Sequence, residues 1–266
     1  MKKIFLYSAV LIILSFGAGF AANYFLDNYK SNEKRQIRPV SLNIKLRDGL
    51  EAAGLHYKAG SGNLIIFLHG LGGWHKVGLT KLSQEYFTRE GFDCYIYHQY
   101  GDEKLPDGSA PRSLKKSITL ERTARDLADI FAHFKPEYKN IFLVGHSYGG
   151  LTIIRANLPA AAVALYDATR PSRMEGYLEE VNVNPLVFAE AKEMIEKDTP
   201  HEWAVKFNAP AFIANAEPND PDNGKYAAEI PNNKYIVYKA DHWFSEPWLQ
   251  RGLFRDNLKF FKKYSR

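Results

Sequence analysis

Five consecutive residues, Gly145-His146-Ser147-Tyr148-Gly149, have the types and spacing for nucleophilic chemistry. Serine is a weak nucleophile at neutral pH and becomes a good one only beside a base that takes its proton and a third group that orients the base. The apolar run 141–144 (Ile-Phe-Leu-Val) leads into the motif and a helical pattern follows at once. Ser147 therefore falls on a sharp strand-to-helix turn, a nucleophile elbow that pushes the hydroxyl clear of the backbone. Strand and helix nearly touch at such a turn, and Gly145 and Gly149 lack the side chains that would keep them apart. The base candidate is His242, which directly follows the last strand-like run, 235–238, at the sheet edge where the elbow must also lie. The other histidines fit less well: His146 lies inside the elbow, His69 belongs to a His-Gly loop, and His56, His133 and His201 fall in segments expected away from the serine.

The elements that must hold these residues read in order from Val40. Leu42, Ile44 and Leu46 alternate with polar residues, Asp48-Gly49 makes a turn, and a second strand over 51–57 completes a hairpin. The continuous apolar run Leu64-Ile65-Ile66-Phe67-Leu68 is the signature of a strand buried on both faces. It ends in His69-Gly70-Leu71-Gly72-Gly73-Trp74. A helix with Leu79, Leu82 and Tyr86 on one side follows, then a strand over 93–97. Next comes an amphipathic helix with Leu120, Ala124, Leu127, Phe131 and Phe134 in one stripe and Glu121, Arg122, Arg125 and Asp129 toward water. After the elbow and its helix, strands are predicted over 162–166, 211–214 and 235–238, and Leu249, Leu253, Leu258 and Phe261 mark a closing helix. Alternation of strand and helix predicts an α/β fold with a doubly wound, mostly parallel sheet. Between residues 168 and 208 no strand pattern appears; the stretch 186–197 is polar and helix-prone, with prolines around it.

From about Val40 onward the chain resembles the α/β-hydrolase superfamily, on the elbow, the preceding strand, the following helix and the upstream His-Gly loop. The resemblance implies a sheet of about eight strands, with residues 168–208 as a small helical cap. It implies the chain order serine, acid, histidine. The acid is expected after the strand at 211–214, where the sequence reads Asn215-Ala216-Glu217-Pro218-Asn219-Asp220-Pro221-Asp222. The family's usual Gly-x-x-Asp is altered here, with Ala216 for the glycine and Asn219 at the acid's offset. Asp220, one residue late and followed by proline, is the first choice, with Asp222 and Glu217 as local alternatives. Some members carry the acid after the previous strand, which here is Asp167. The family often has glycine where Asp241 stands. Oxyanion donors are expected at the backbone N–H groups of Tyr148 and Leu71. No metal or organic cofactor is implied.

The resulting expectation is a serine hydrolase that cleaves carboxylic esters, lipid esters and thioesters included, through an acyl-enzyme on Ser147. A catalytically silent binding scaffold at the envelope, or an acyltransferase or serine peptidase on the same fold, stands as the alternative. Trp74, Trp203 and Trp243 are expected around the pocket, where they would suit an apolar acyl group, or else in the core.

The remainder of the 266 residues bounds the setting. Lys2 and Lys3 precede an uncharged run from Ile4 to Leu26, long enough for a helix to span a bilayer. Residues 1–26 are predicted to be a signal anchor, or a secretory signal cut near Ala21 or Ala22, and 27–39 a linker to the hydrolase domain at 40–266. The catalytic domain is accordingly expected outside the cytoplasm, tethered to the membrane, or secreted or periplasmic if the segment is removed. The net charge of +5 is scattered, so no nucleic-acid partner is expected. Cys94, the single cysteine, sits in an apolar run and reads as a small buried hydrophobe.

Overall fold

The apolar runs read from the sequence become the centre of one eight-stranded sheet. The computed structural model describes residues 37–70, 78–99, 119–169, 189, 192–193, 196–197, 199–217 and 225–265. Within it, Pro39–Arg266 forms one compact unit. The strands are β1 (Val40–Lys45), β2 (Glu51–Tyr57), β3 (Asn63–Leu68), β4 (Asp93–Tyr97), β5 (Asn140–His146), β6 (Ala162–Tyr166), β7 (Ala211–Glu217) and β8 (Asn233–Lys239). Their spatial order is β1-β2-β4-β3-β5-β6-β7-β8. The β1–β2 and β2–β4 pairs are antiparallel and every other pair is parallel. The helices are α1 (Gly78–Arg89), α2 (Leu120–Phe134), α3 (Tyr148–Ala156), α4 (Thr199–Val205) and α5 (Pro247–Lys262), with a 3-10 turn at Lys225–Glu229.

Continuous apolar strands have two faces to cover, and each face has its own core. Leu64, Ile66, Leu143 and Val163 point to one side, where α2 supplies Leu127, Ile130 and Phe134 and α3 supplies Leu151 and Ile154. Ile65, Phe67, Phe142 and Val144 point to the other, under Leu79 and Phe87 of α1 and Leu253, Phe254 and Phe261 of α5. These layers fix the direction of every parallel strand, and hence the edge at which all their C-terminal loops emerge. After β3 the chain steps outward to β4 and then returns to lay β5 on the opposite side of β3. At that reversal β3 leads to α1 on one face of the sheet and β5 to α3 on the other, the switch point at which sheets of this kind usually bind ligands.

Two helices differ in detail from the sequence reading. In α1, Leu82 is exposed and Phe87 is fully buried, so the inner stripe is rotated from the one expected. In α2, Arg122 and Asp129 do not face open water, because the β1–β2 turn folds over them. Arg122 Nη2 donates to Asp48 Oδ2 at 2.9 Å, and Arg47 donates from its backbone N and its Nε to Asp129.

Much of the segment expected as a cap is not described. Residues 170–188 lie outside the described residues. At its end, α4 packs into the body of the domain, with Ala204 and Phe207 in the core. Trp203 is part-buried there, under the Arg155 guanidinium at 5.2 Å, beside the far end of α3 from the elbow. It does not ring the serine. Trp74 lies outside the described residues. Among the described residues no helix is long and apolar enough to cross a membrane. The predicted span at 1–26 and most of the predicted linker lie outside them.

Where the chain approaches itself most closely, glycine is obligatory. A Cβ on Gly149 would lie 2.4 Å from the carbonyl oxygen of Leu68, which is backbone and cannot swing aside. Gly149→Ala is expected to cost about 1–3 kcal/mol, the range for overpacking a tight site, seen as a lowered thermal midpoint. Gly252, inside α5 with nothing within 4 Å of the same position, is the control. Gly252→Ala should be neutral or slightly stabilising, because alanine loses less backbone freedom in a helix. Equal midpoints for Gly149→Ala and wild type would contradict the packing described.

Candidate active site

The C-terminal ends of β3, β5, β6 and β8 converge on Ser147. Its backbone sits at φ 54°, ψ −122°, a left-handed conformation that costs a residue with a Cβ on the order of 1–3 kcal/mol. The structure keeps it there with surrounding hydrogen bonds: Ser147 N donates to Tyr166 O (3.0 Å), and Gly150 N donates to Ser147 O (2.9 Å). The glycine at 145 is as necessary as the one at 149, since a Cβ there would stand 2.6 Å from the carbonyl of Gly149. Ser147 occupies the N-cap position of α3, yet its side chain makes no capping bond. Gly70 closes in from the β3 side: a Cβ there would be 3.0 Å from the Cβ of Ser147. Leu71, one expected oxyanion donor, lies outside the described residues. Tyr148, the other, opens α3. The Tyr148 ring is buried, its hydroxyl 3.3 Å from that of Thr123.

His242 stands after β8 with its side chain partly exposed, and its Nδ1 donates to Asp167 Oδ2 at 2.5 Å. Asp167 follows β6 immediately and is 1% exposed. Its other oxygen, Oδ1, accepts from Ala216 N of β7 at 3.2 Å, and its backbone N donates to Ala214 O at 2.7 Å. A buried carboxylate is tolerated only with such partners. Of the four carboxylates considered for this histidine, Asp167 is the one that the structure shows beside it. An imidazole Nδ1 carries one hydrogen, and Asp167, the alternative acid of the sequence reading, lies in its direction. Asp220 and Asp222 lie outside the described residues, and Glu217 is exposed at the end of β7. The local sequence around Asp167 offers no signal for this beyond its position after a strand.

Three features escaped the sequence reading. His146 is buried, and its Nε2 donates to the backbone oxygen of His242 at 2.8 Å, tying the elbow to the histidine loop. The two imidazoles lie 4.7 Å apart, and the Trp243 ring is 5.2 Å from that of His146. The Ser147 hydroxyl is bonded to the Thr169 hydroxyl at 2.5 Å. Asp241, where the family often has glycine, holds the histidine loop in shape: its Oδ1 accepts from Ser245 N at 2.8 Å. Burial alone would raise the Asp241 carboxyl, but hydrogen bonds from Ser245 and Trp243 hold it below its ordinary value. On the β3 side, His69 Nδ1 donates to Gly70 O at 2.7 Å while its Nε2 accepts from Gln99 N at 3.2 Å, which fixes that imidazole as neutral. Among the described residues no group of three or more His, Cys, Asp and Glu is placed to hold a metal ion.

A match to the alpha/beta hydrolase family model runs over residues 65–259, from within β3 to α5. The chain belongs to the alpha/beta hydrolase family. Solved structures similar to it include the Pyrococcus furiosus esterase Pf2001, with TM-score 0.67 and 15% identity, covering 86% of this chain and 94% of that one. Est1E from Butyrivibrio proteoclasticus is similar at TM-score 0.62 and 14% identity over 82% of this chain and 98% of that one. A soluble variant of monoglyceride lipase from Saccharomyces cerevisiae follows at TM-score 0.63 and 12% identity, covering 88% and 97%. At these identities the likeness is one of fold. No curated protein matches the sequence.

The buried position of His146 gives a test in acid. Burial, with the neighbouring His242 adding to it, pushes this imidazole from 6.5 down to about 4. The unfolded chain thus takes up the proton near pH 6.5 and the folded chain only near pH 4, so stability contributed by neutral His146 is present above pH 6.5 and is lost as pH falls through that window. Asp126 acts in the opposite sense, since burial raises its carboxyl to about 7. The comparison is therefore between wild type and His146→Gln, which keeps a donor for His242 O but does not titrate. The stability of wild type relative to that variant, by denaturant unfolding, should shrink between pH 6.5 and pH 4; a constant difference would exclude the buried neutral imidazole.

Proposed function

We propose that this chain is a serine hydrolase acting on carboxylic esters through an acyl-enzyme on Ser147, with His242 as base and Asp167 as the acid that orients it. The observation that carries the reading is the 2.5 Å bond from His242 Nδ1 to buried Asp167, at the same sheet edge as a serine held in a strained turn. A base whose Nδ1 proton is held by a carboxylate presents its other nitrogen as acceptor.

In the reaction, the Ser147 hydroxyl turns to His242 Nε2, its Oγ attacks the ester carbonyl, and the proton passes to the imidazole. Asp167 stabilises the imidazolium by charge and does not take the proton. The carbonyl oxygen becomes an oxyanion, for which the N–H groups of Tyr148 and Leu71 are the assigned donors. Collapse re-forms the carbonyl and expels the alcohol, protonated by His242. Water then attacks the acyl carbon, gives its proton to His242, and frees the carboxylic acid and Ser147.

An apolar group on the substrate is supported by Trp243, which is adjacent to His242 and 42% exposed. The solved structures of similar fold include esterases and a lipase, which agrees with a small-molecule or lipid ester as substrate. The uncharged run 4–26 supports a membrane-tethered chain with its catalytic domain outside the cytoplasm, or a secreted or periplasmic one if the run is cleaved.

The test is covalent labelling of the full-length chain by a fluorophosphonate probe, together with turnover of a short-chain activated ester. Labelling and turnover are expected in wild type and absent in Ser147→Ala. A folded wild type that does neither would replace this reading with that of a silent hydrolase scaffold. Asp167→Asn should lower kcat on the order of 10³- to 10⁴-fold with the fold intact, because the imidazole loses the partner that sets its tautomer. Asp220→Asn should stay near wild type; a larger loss there than at Asp167 would overturn the assignment of the acid.

A further inference from the structure

The loop after β6 delivers two side chains to the reaction centre. Asp167 reaches His242, and two residues later Thr169 places Oγ1 2.5 Å from Ser147 Oγ. The threonine is held on three sides. Its backbone N donates to Ser147 O at 3.2 Å, its carbonyl accepts from the Tyr226 hydroxyl at 3.4 Å, and its residue is 7% exposed. A β-branched side chain is stiff about its first torsion, so a fixed backbone here means a fixed hydroxyl. Among the described residues Thr169 Oγ1 has no partner but Ser147 Oγ. Either hydroxyl can donate in this contact; once Ser147 gives its proton to His242, its oxygen is left to accept from Thr169.

We propose that Thr169 is a further catalytic residue, a donor to Ser147 Oγ that acts chiefly when that oxygen leaves the acyl group. The inference rests on the serine hydrolase reading above. A donor on Oγ withdraws electron density, so it does not help the attack. In deacylation the same contact becomes favourable. Water has added to the acyl carbon, the oxyanion re-forms its double bond, and the bond from carbon to Ser147 Oγ breaks with its electron pair going to Oγ. His242 Nε2 delivers the proton that completes the hydroxyl. While that negative charge builds, a hydroxyl already aimed at Oγ stabilises it without reorganisation. No atom is transferred to or from Thr169.

The test separates the two half-reactions in the full-length chain, with an activated p-nitrophenyl ester for the burst and steady state and a fluorophosphonate for attack by Ser147. Thr169→Val removes the hydroxyl and keeps the branch; if it does not fold by circular dichroism, Thr169→Ala carries the same test. The expected result is a kcat lowered about 10- to 100-fold, the range for losing one hydrogen bond to a charged oxygen. The burst of p-nitrophenol should approach one equivalent per chain while the rate of fluorophosphonate labelling changes less than about threefold, and Thr169→Ser should restore turnover. Unchanged kcat, or labelling that falls as far as kcat, overturns the proposal, the second because a displaced serine would slow both. A folded wild type that neither labels nor turns over the ester overturns the hydrolase reading itself, and this inference with it.

Discussion

The close approach of β3, β5 and α3 at the elbow is the constraint on which the remaining architecture depends. Ser147 adopts a left-handed backbone, and the strand before it and the helix after it touch through Gly145 and Gly149. Such a turn is unfavourable by itself, and the fold offsets it with two apolar cores, one on each face of the sheet. The helices of those cores clamp both ends of the turn. Three of the site's loops share this feature: Ser147 after β5, Asp167 after β6 and Phe244 beside His242 after β8 all have positive φ without being glycine. Strain of this kind persists only where surrounding contacts over-determine it, and it collects where side chains must be aimed rather than packed.

Aiming is completed by cross-links between loops that are remote in sequence. His146 binds the backbone of His242, Asp167 binds its ring, and Thr169 binds Ser147 through both backbone and side chain. The elbow, the acid loop and the histidine loop are thereby joined pairwise, so a displacement of one is felt by the other two. Burial gives these links their force, because a polar group removed from water must keep its partner. The neutral state of His146 follows from the same cause: burial disfavours a positive charge on its imidazole.

The β1–β2 turn uses polar groups differently. It lays Arg47 and Asp48 over α2, where they meet Asp129 and Arg122. These contacts shield one flank of the helix that carries much of one core. Trp203 and α4 play a comparable part on the same core. Residues that looked like pocket or surface from their type alone are thus part of the scaffold.

By itself the sequence determined the elbow at Ser147, the histidine loop after the last strand and the sheet that carries them. A five-residue spacing with glycines at fixed offsets specifies the elbow, and continuous apolar runs specify strands covered on both faces, because these signals are local. The tertiary structure alone decided which carboxylate meets His242. Asp167 and Asp220 both follow strands of the same sheet, and those strands, β6 and β7, are neighbours. Chain order therefore could not separate them, whereas a distance of 2.5 Å does. The same holds for Thr169 and His146. A threonine in a loop and a histidine inside a motif carry no periodic signal, and their partners are set by how strands distant in sequence come to lie side by side.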